Sequence, residues 1–258
     1  MRKGISFWFG YEIPTEERAK MIKKAGFDCV ITSADKRFNK ENGTIRKQVK
    51  MFKKYGLENS SLHMRYRTEE LHYFWEDSKI GEKIKKNLIK DVNVAKKYGF
   101  TCVVVHLYGE YSKIGEGRLL EVLKVCEKVN IPLAIENIDD QKTFIETFKR
   151  IKHPLLKFCY DCGHNNVFDK DFDYFKDYGD KLITLHLHDN DGSQDQHTLK
   201  KLCNSTIDWN MIGNNLKNHK SIILDYETFK KNNSNITAEE YLNEVYSQAK
   251  KLEKFIEE

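Results

Sequence analysis

Residues 131–164 read IPLAIENIDDQKTFIETFKRIKHPLLKFCYDCGH. A short apolar run stops at Glu136, QKTFIETFKRI follows with apolar residues at three- and four-residue spacing, and a second apolar run stops at Asp161 and His164. Short apolar runs bounded by polar residues read as strands, and the 3.6-period segment between them as an amphipathic helix. The stretch therefore predicts a strand–helix–strand unit with its chemistry at the same end of both strands.

The same unit recurs along the chain. Strands are predicted near residues 4–9, 28–34, 59–64, 102–107, 131–136, 156–161, 182–188 and 221–227. His63, His106, Glu136, Asp161, His186 and Glu227 stand at the ends of the third to eighth. Eight alternating units predict an α/β fold whose parallel strands close into a (β/α)8 TIM barrel, because only closure brings six strand ends to one point.

The intervening segments support that reading. PTEERAKMIKKAGF, TIRKQVKMFKKYG, residues 80–99, GRLLEVLKVCEKVN, DYFKDYG, WNMIGNNLKNH and the stretch from Thr237 onward are amphipathic. Gly26, Gly56 and Gly99 each follow a Lys-rich last turn, where a glycine C-cap is expected, and Pro14 opens the first helix. Two strand-to-helix loops, 65–79 and 189–206, are long, and loops on that face carry function in a barrel.

A length of 258 residues suits one such barrel, so residues 1–258 are read as a single domain. With 40% hydrophobic residues the chain can bury a sizeable core. No apolar run has the length of a signal peptide or membrane span, which leads to the expectation of a cytoplasmic protein without a membrane partner. Six cysteines are too sparse for a disulfide scaffold, and Cys159-x-x-Cys162 brackets a strand end rather than opening a helix, against a redox role. The 44 Lys plus Arg against 39 Asp plus Glu leave a charge of +5, too mild to require nucleic acid.

One strand-end carboxylate is usually a helix cap, and one strand-end histidine is usually structural. The repetition over successive strands points instead to a metal. Glu136, Asp161, His186 and Glu227 form an oxygen- and nitrogen-rich set suited to one divalent ion, Mn²⁺, Co²⁺, Mg²⁺ or Zn²⁺. His63 and His106 are placed to hold a second ion that shares Glu136, and His164, Asp195 and His197 a third.

The run L-H-L-H-D-N-D-G at 185–192, Asp195-Gln196-His197 and Ile207-Asp208-Trp209 resembles the seventh-strand signature of the xylose-isomerase-like TIM-barrel superfamily. A-I-E-N at 134–137, Y-D-C-G-H at 160–164 and L-D-Y-E at 224–227 fit the same superfamily in order and spacing. The resemblance covers essentially the whole chain. It implies a sugar or sugar-phosphate isomerase or epimerase in which Glu136, Asp161, His186 and Glu227 bind the metal, with Glu136 and Glu227 also the acid/base pair. Proton transfer would then run through a metal-stabilised enediolate. Substrate contacts are expected from His164, His188, Arg65 and Trp8, and a homo-oligomer is compatible with the family.

Endonuclease IV is a relative within that superfamily, and its nine zinc ligands have counterparts here: His63, His106, Glu136, Asp161, His164, His186, Asp195, His197 and Glu227. The alternative is therefore a zinc-dependent phosphodiesterase acting at abasic sites in DNA, the one reading with a nucleic-acid partner. The surroundings depart from that pattern. His106 is followed by Leu-Tyr-Gly rather than Pro-Gly, and His186 by Leu-His-Asp rather than Leu-Asn-Asp. The sugar-enzyme pattern is also broken, because TLKKLCNST replaces a Pro-Gly-rich turn between His197 and Ile207. An aromatic and basic loop, Arg65, Tyr66, Arg67, Tyr73, Phe74 and Trp75, is expected near the substrate or pinned to the rim.

Overall fold

Eight parallel strands follow one another around the molecule in chain order: β1 (Lys3–Ser6), β2 (Cys29–Ser33), β3 (Glu58–His63), β4 (Cys102–Val105), β5 (Leu133–Glu136), β6 (Leu156–Asp161), β7 (Leu182–His186) and β8 (Leu224–Tyr226). The computed structural model describes residues 1–38, 42–230 and 235–258. β8 pairs with β1 through Lys3 and Leu224, Gly4 and Asp225, and Ile5 and Tyr226. The last seam closes just beyond the regular ladder, where Leu187 N–H donates to Asp225 O (2.8 Å) and Glu227 N–H to Leu187 O (3.0 Å). The barrel is thus closed at the end that carries His186 and Glu227.

Helices fill the connections: α1 (Thr15–Ala25), α2 (Ile45–Tyr55), α3 (Lys79–Tyr98), α4 (Lys113–Val129), α5 (Gln141–Arg150), α6 (Cys162–Phe168), α7 (Tyr174–Tyr178), α8 (Trp209–Leu216) and α9 (Ala238–Glu257). Side chains at their starts satisfy the free backbone N–H groups of the first turn: Thr44 for α2, Ser78 for α3, Ser112 for α4, Asp140 for α5 and the Thr237–Glu240 capping box for α9. The expected glycines end α1, α2 and α3 in left-handed conformations, with φ of 108°, 68° and 77°. The predicted 65–79 loop contains a 3₁₀ stretch, Thr68–Trp75, whose Leu71, Phe74 and Trp75 are buried. Its aromatics therefore pin the loop to the barrel.

Two apolar regions hold the fold. The larger lies between helices and sheet, and a small one, Cys102, Val104, Ala134 and Cys159, fills the barrel interior below the strand ends. Cys159 and Cys162 are unpaired and buried, and burial pushes both thiols well above their ordinary value. Cys162 is the first residue of α6, so the pair does reach a helix start, but a buried, protonated thiol is a poor nucleophile. Among the described residues no helix is long and apolar enough to cross a membrane.

Candidate metal centre

The ends of β3 to β8 each contribute a side chain to a shared space above the barrel interior. Glu136, at the end of β5, is at its centre. Its Oε2 lies 3.1 Å from His106 Nε2, 3.1 Å from His186 Nδ1 and 3.6 Å from His63 Nε2, while Oε1 lies 3.2 Å from His164 Nδ1. Glu227, just past β8, brings Oε2 to 2.9 Å from the same His186 Nδ1. Asp161 completes the set from β6. One donor atom from each of Glu136, Asp161, His186 and Glu227 lies within 4.8 Å of the others, and the same holds for His63, His106 and Glu136 and for His164, Asp195 and His197. The two clusters expected from strand ends and the third, expected from His164 and the seventh-loop Asp195 and His197, are thus brought together.

Two observations test whether this set fits a cation. Both ring nitrogens of His186 are buried without a hydrogen-bond partner, although Nδ1 sits within 3.1 Å of two carboxylates. Nδ1 has the proximity but not the angles of a hydrogen bond, as expected of a group directed at a point between the carboxylates. Secondly, three histidines are oriented through their other nitrogen. Nδ1 faces a backbone carbonyl at Met64 O for His63 (3.1 Å), at Asn137 O for His164 (2.9 Å) and at Glu227 O for His197 (2.8 Å). A carbonyl only accepts, so Nδ1 carries a hydrogen and Nε2 is the nitrogen turned toward the cluster, the orientation that metal-ligating histidines adopt. The residues fit a divalent ion.

Electrostatics agree. Burial pushes Glu136 up, but His186, His106 and His164 outweigh it and hold the carboxyl well below its ordinary range. Asp161 is lowered in the same way by His164 and His188, and Glu227 by His186 and His197. Burial alone lowers most histidines, and it does lower His106, but the carboxylates raise His164 and His186 well above their ordinary value and His197 to about 9. His164, His186 and His197 therefore hold a proton more tightly than a free imidazole, and a cation binding at their nitrogens would displace it.

Above the centre is a cavity of about 220 Å³ walled by Trp8, Phe38, Tyr66 and Phe229, with His63, His106, Glu136, His164, Asp195, His197 and Glu227 on its floor. Trp8, expected near the substrate, lines it. Arg65 does not. Its guanidinium turns away to the fully buried Asp91 on α3, donating from Nε (2.8 Å) and Nη2 (2.5 Å), so its expected substrate contact is replaced by a structural ion pair. His188 does not line the cavity either; its ring is completely buried beside Asp161, and the expectation of a substrate contact is corrected. Asn137 went unrecognised despite its place in A-I-E-N: it donates to Asp161 O and accepts from Asp161 N–H, both at 2.8 Å, locking β5 to β6 at the centre.

The family described as xylose isomerase-like TIM barrel matches residues 19–248. Among solved structures, the chain is similar to a D-tagatose 3-epimerase-like protein, with a TM-score of 0.73 and 17% identity over 100% of this chain and 97% of that one. It is similar to an L-ribulose 3-epimerase, with a TM-score of 0.74 and 15% identity over 99% and 95% of the two chains. A 3-keto-D-glucoside 4-epimerase from E. coli gives 0.71 and 16% over 97% and 99%. An uncharacterized protein of Sinorhizobium fredii (strain NBRC 101917 / NGR234), y4fM, is 29% identical over 94 residues, a match spanning 34% of this chain and 30% of that relative. At these identities the solved structures establish a shared fold.

Proposed function

The chain belongs to the xylose isomerase-like TIM barrel family, and from that premise we propose that it is a divalent-metal-dependent isomerase or epimerase of a small sugar. The observation that carries this reading is the pair of carboxylates, Glu136 and Glu227, which meet at His186 Nδ1 on the floor of a closed-in cavity. Glu136, Asp161, His186 and Glu227 would hold the ion. When bound, it would supply positive charge to substrate oxygens as a carbonyl gains electron density. The chain's own residues do the rest. Glu136 and Glu227 are both held ionised, so either carboxylate can take the proton from carbon and, as the carboxylic acid so formed, return it, while His164 faces a substrate oxygen from the cavity floor. Trp8, Tyr66, Phe38 and Phe229 cover the apolar face of the sugar and exclude water.

Among the described residues no Lys or Arg lines the cavity, which favours an unphosphorylated sugar. The similar L-ribulose 3-epimerase, 3-keto-D-glucoside 4-epimerase and D-tagatose 3-epimerase-like protein support the same class. A second reading is favoured by one observation: all three carboxylate and histidine clusters converge, which is the ligand count of a three-zinc phosphodiesterase at abasic DNA.

The experiment is turnover of a panel of free ketoses with Mn²⁺ or Co²⁺ in deuterated solvent. Interconversion of at least one, with deuterium entering the carbon beside the carbonyl, is expected. Replacement Glu136→Gln or Glu227→Gln should reduce the rate by more than the roughly 10²–10⁴-fold typical of a lost acid or base, since ion binding suffers as well. Turnover without solvent deuterium would remove the carboxylates from the proton-transfer role.

A further inference from the structure

His188 occupies a tight, fully buried slot in which its ring Nδ1 has no hydrogen-bond partner. Its backbone N–H donates to Cys162 Sγ (3.3 Å) and its carbonyl accepts from the same thiol (3.1 Å). One ring edge lies against Gly163, where a Cβ would come within 1.8 Å of His188 Cε1, so only glycine leaves room for the imidazole. One ring face stacks on His197, with centroids 3.9 Å apart and planes 16° from parallel. The tip, Nε2, is 3.1 Å from Asp161 Oδ1 and 3.2 Å from Oδ2. An ionised carboxylate only accepts, so Nε2 carries the hydrogen and donates in a fork. Completely buried and absent from the cavity wall, the ring has no path to a substrate.

We propose that His188 is a positioning residue for the metal centre: it fixes the rotation of the Asp161 carboxylate toward the point shared with Glu136, His186 and Glu227. Through its stack on His197 it also ties that point to the His164–Asp195–His197 cluster. The inference rests on the metal reading of the site above. The hydrogen bonds explain how the rotation is set. Asp161 Oδ1 already accepts the His164 backbone N–H at 2.7 Å as the N-cap of α6, and the His188 fork adds a second donor there. Oδ1 is thereby engaged from two directions, while Oδ2 receives only the longer arm and keeps a lone pair for a cation. With His188 gone, one backbone donor would remain, and the carboxylate would turn about it. Outer partners of this kind typically alter metal affinity by about 10–100-fold when removed.

Two substitutions separate donation from packing. His188→Phe keeps a ring in the slot and on His197 but has no donor, and His188→Gln keeps an N–H donor without the ring. The readouts are the affinity and stoichiometry of Mn²⁺ binding by calorimetry, and the melting temperature of the metal-free protein. We expect the tightest Mn²⁺ to weaken by about 10–100-fold in His188→Phe. His188→Gln should bind nearer to wild type, and the metal-free melting temperatures of the two should be similar. If His188→Phe binds Mn²⁺ as wild type does, the proposal fails while the metal reading stands. If His188→Phe loses one ion outright with the remaining affinities unchanged, His188 is itself a ligand and the positioning role is wrong. A wild-type protein that binds no divalent ion overturns the metal reading and this inference with it.

Discussion

Arg65 and Asp91 illustrate how a residue that reads as functional is claimed by structure. A buried carboxylate on the inner face of α3 requires a cation, and Arg65, at the mouth of the barrel, supplies two donors from its side chain and one from its backbone N–H at 3.1 Å. Even so, burial pushes the Asp91 carboxyl up. Removing one member of such a pair leaves an uncompensated buried group, so Arg65→Ala should destabilise the protein by about 3–5 kcal/mol. Turnover of any sugar substrate should keep its KM. Denaturant unfolding beside steady-state kinetics checks this, and a raised KM with unchanged stability would return Arg65 to the substrate site. The sequence could not disclose the pairing, because Asp91 is 26 residues away and reads as one more polar residue on a lysine-rich helix. Glu136, Asp161, His186 and Glu227 were legible for the opposite reason. Barrel closure leaves strand ends one destination, so position alone fixes their neighbours. His188 fell between these cases: two residues beyond His186 it was correctly placed near the centre, but whether its ring faces the cavity or the protein depends on the Gly163 slot.

At the level of elements, strands and long helices followed their periodicities, and departures occurred where local propensity is weak. α6 (CGHNNVF) is seven residues with poor helix formers, and it exists because Asp161 caps it and its first residues pack under the site. α4 starts at Lys113, ahead of the apolar run, because the Ser112 hydroxyl accepts Gly115 N–H and donates to Trp75 O. The two chain ends are joined by a clasp that periodicity does not reveal. On α9, Glu253 accepts from Lys3 Nζ at 2.7 Å, from the Met1 amino group and from Lys250. Burial pushes this carboxyl up, but the three cations prevail and set it at about 2. An unfolded glutamate titrates near 4.3, so the folded state binds the proton more weakly and the clasp's contribution is complete above that value and lost as pH falls toward 2. Glu253→Gln should cost about 1–3 kcal/mol at neutral pH, the range for charge-assisted hydrogen bonds. The gap from wild type should narrow steadily between pH 5 and pH 2.5 in thermal melts. A gap independent of pH would show that packing of α9, rather than charge, closes the barrel.

For the whole molecule, the distribution of charge around the barrel mouth separates the two functional readings. A protein that grips duplex DNA must neutralise phosphates on both sides of its site, and its affinity then falls by orders of magnitude as salt rises. Among the described residues, a groove of about 350 Å³ beside the mouth holds Lys36, Arg37, Arg65, Arg67 and Lys83. Three of them are already committed: Arg37 to Asp35 at 2.9 Å, Arg65 to Asp91 and Lys83 to Glu70 at 3.9 Å. Across the mouth, the segment after Glu136 carries Asp139 and Asp140, and Glu227 is followed by Thr228, Phe229 and Lys230, whose Nζ lies 4.9 Å from the centre of the Tyr11 ring. Lys200 and Lys201 lie on the seventh loop, where Lys201 pairs with Glu244 at 2.8 Å. Among the described residues most of these cations already have acidic or aromatic partners, whereas a small neutral sugar needs none of them. We therefore expect no salt-sensitive binding of an abasic-site duplex at submicromolar protein, and no incision with Zn²⁺ present, even when all three clusters are loaded. Incision that weakens steeply with salt would assign the nine ligands to phosphodiester hydrolysis, because a convergent centre is common to both chemistries and only the surface that presents the substrate tells them apart.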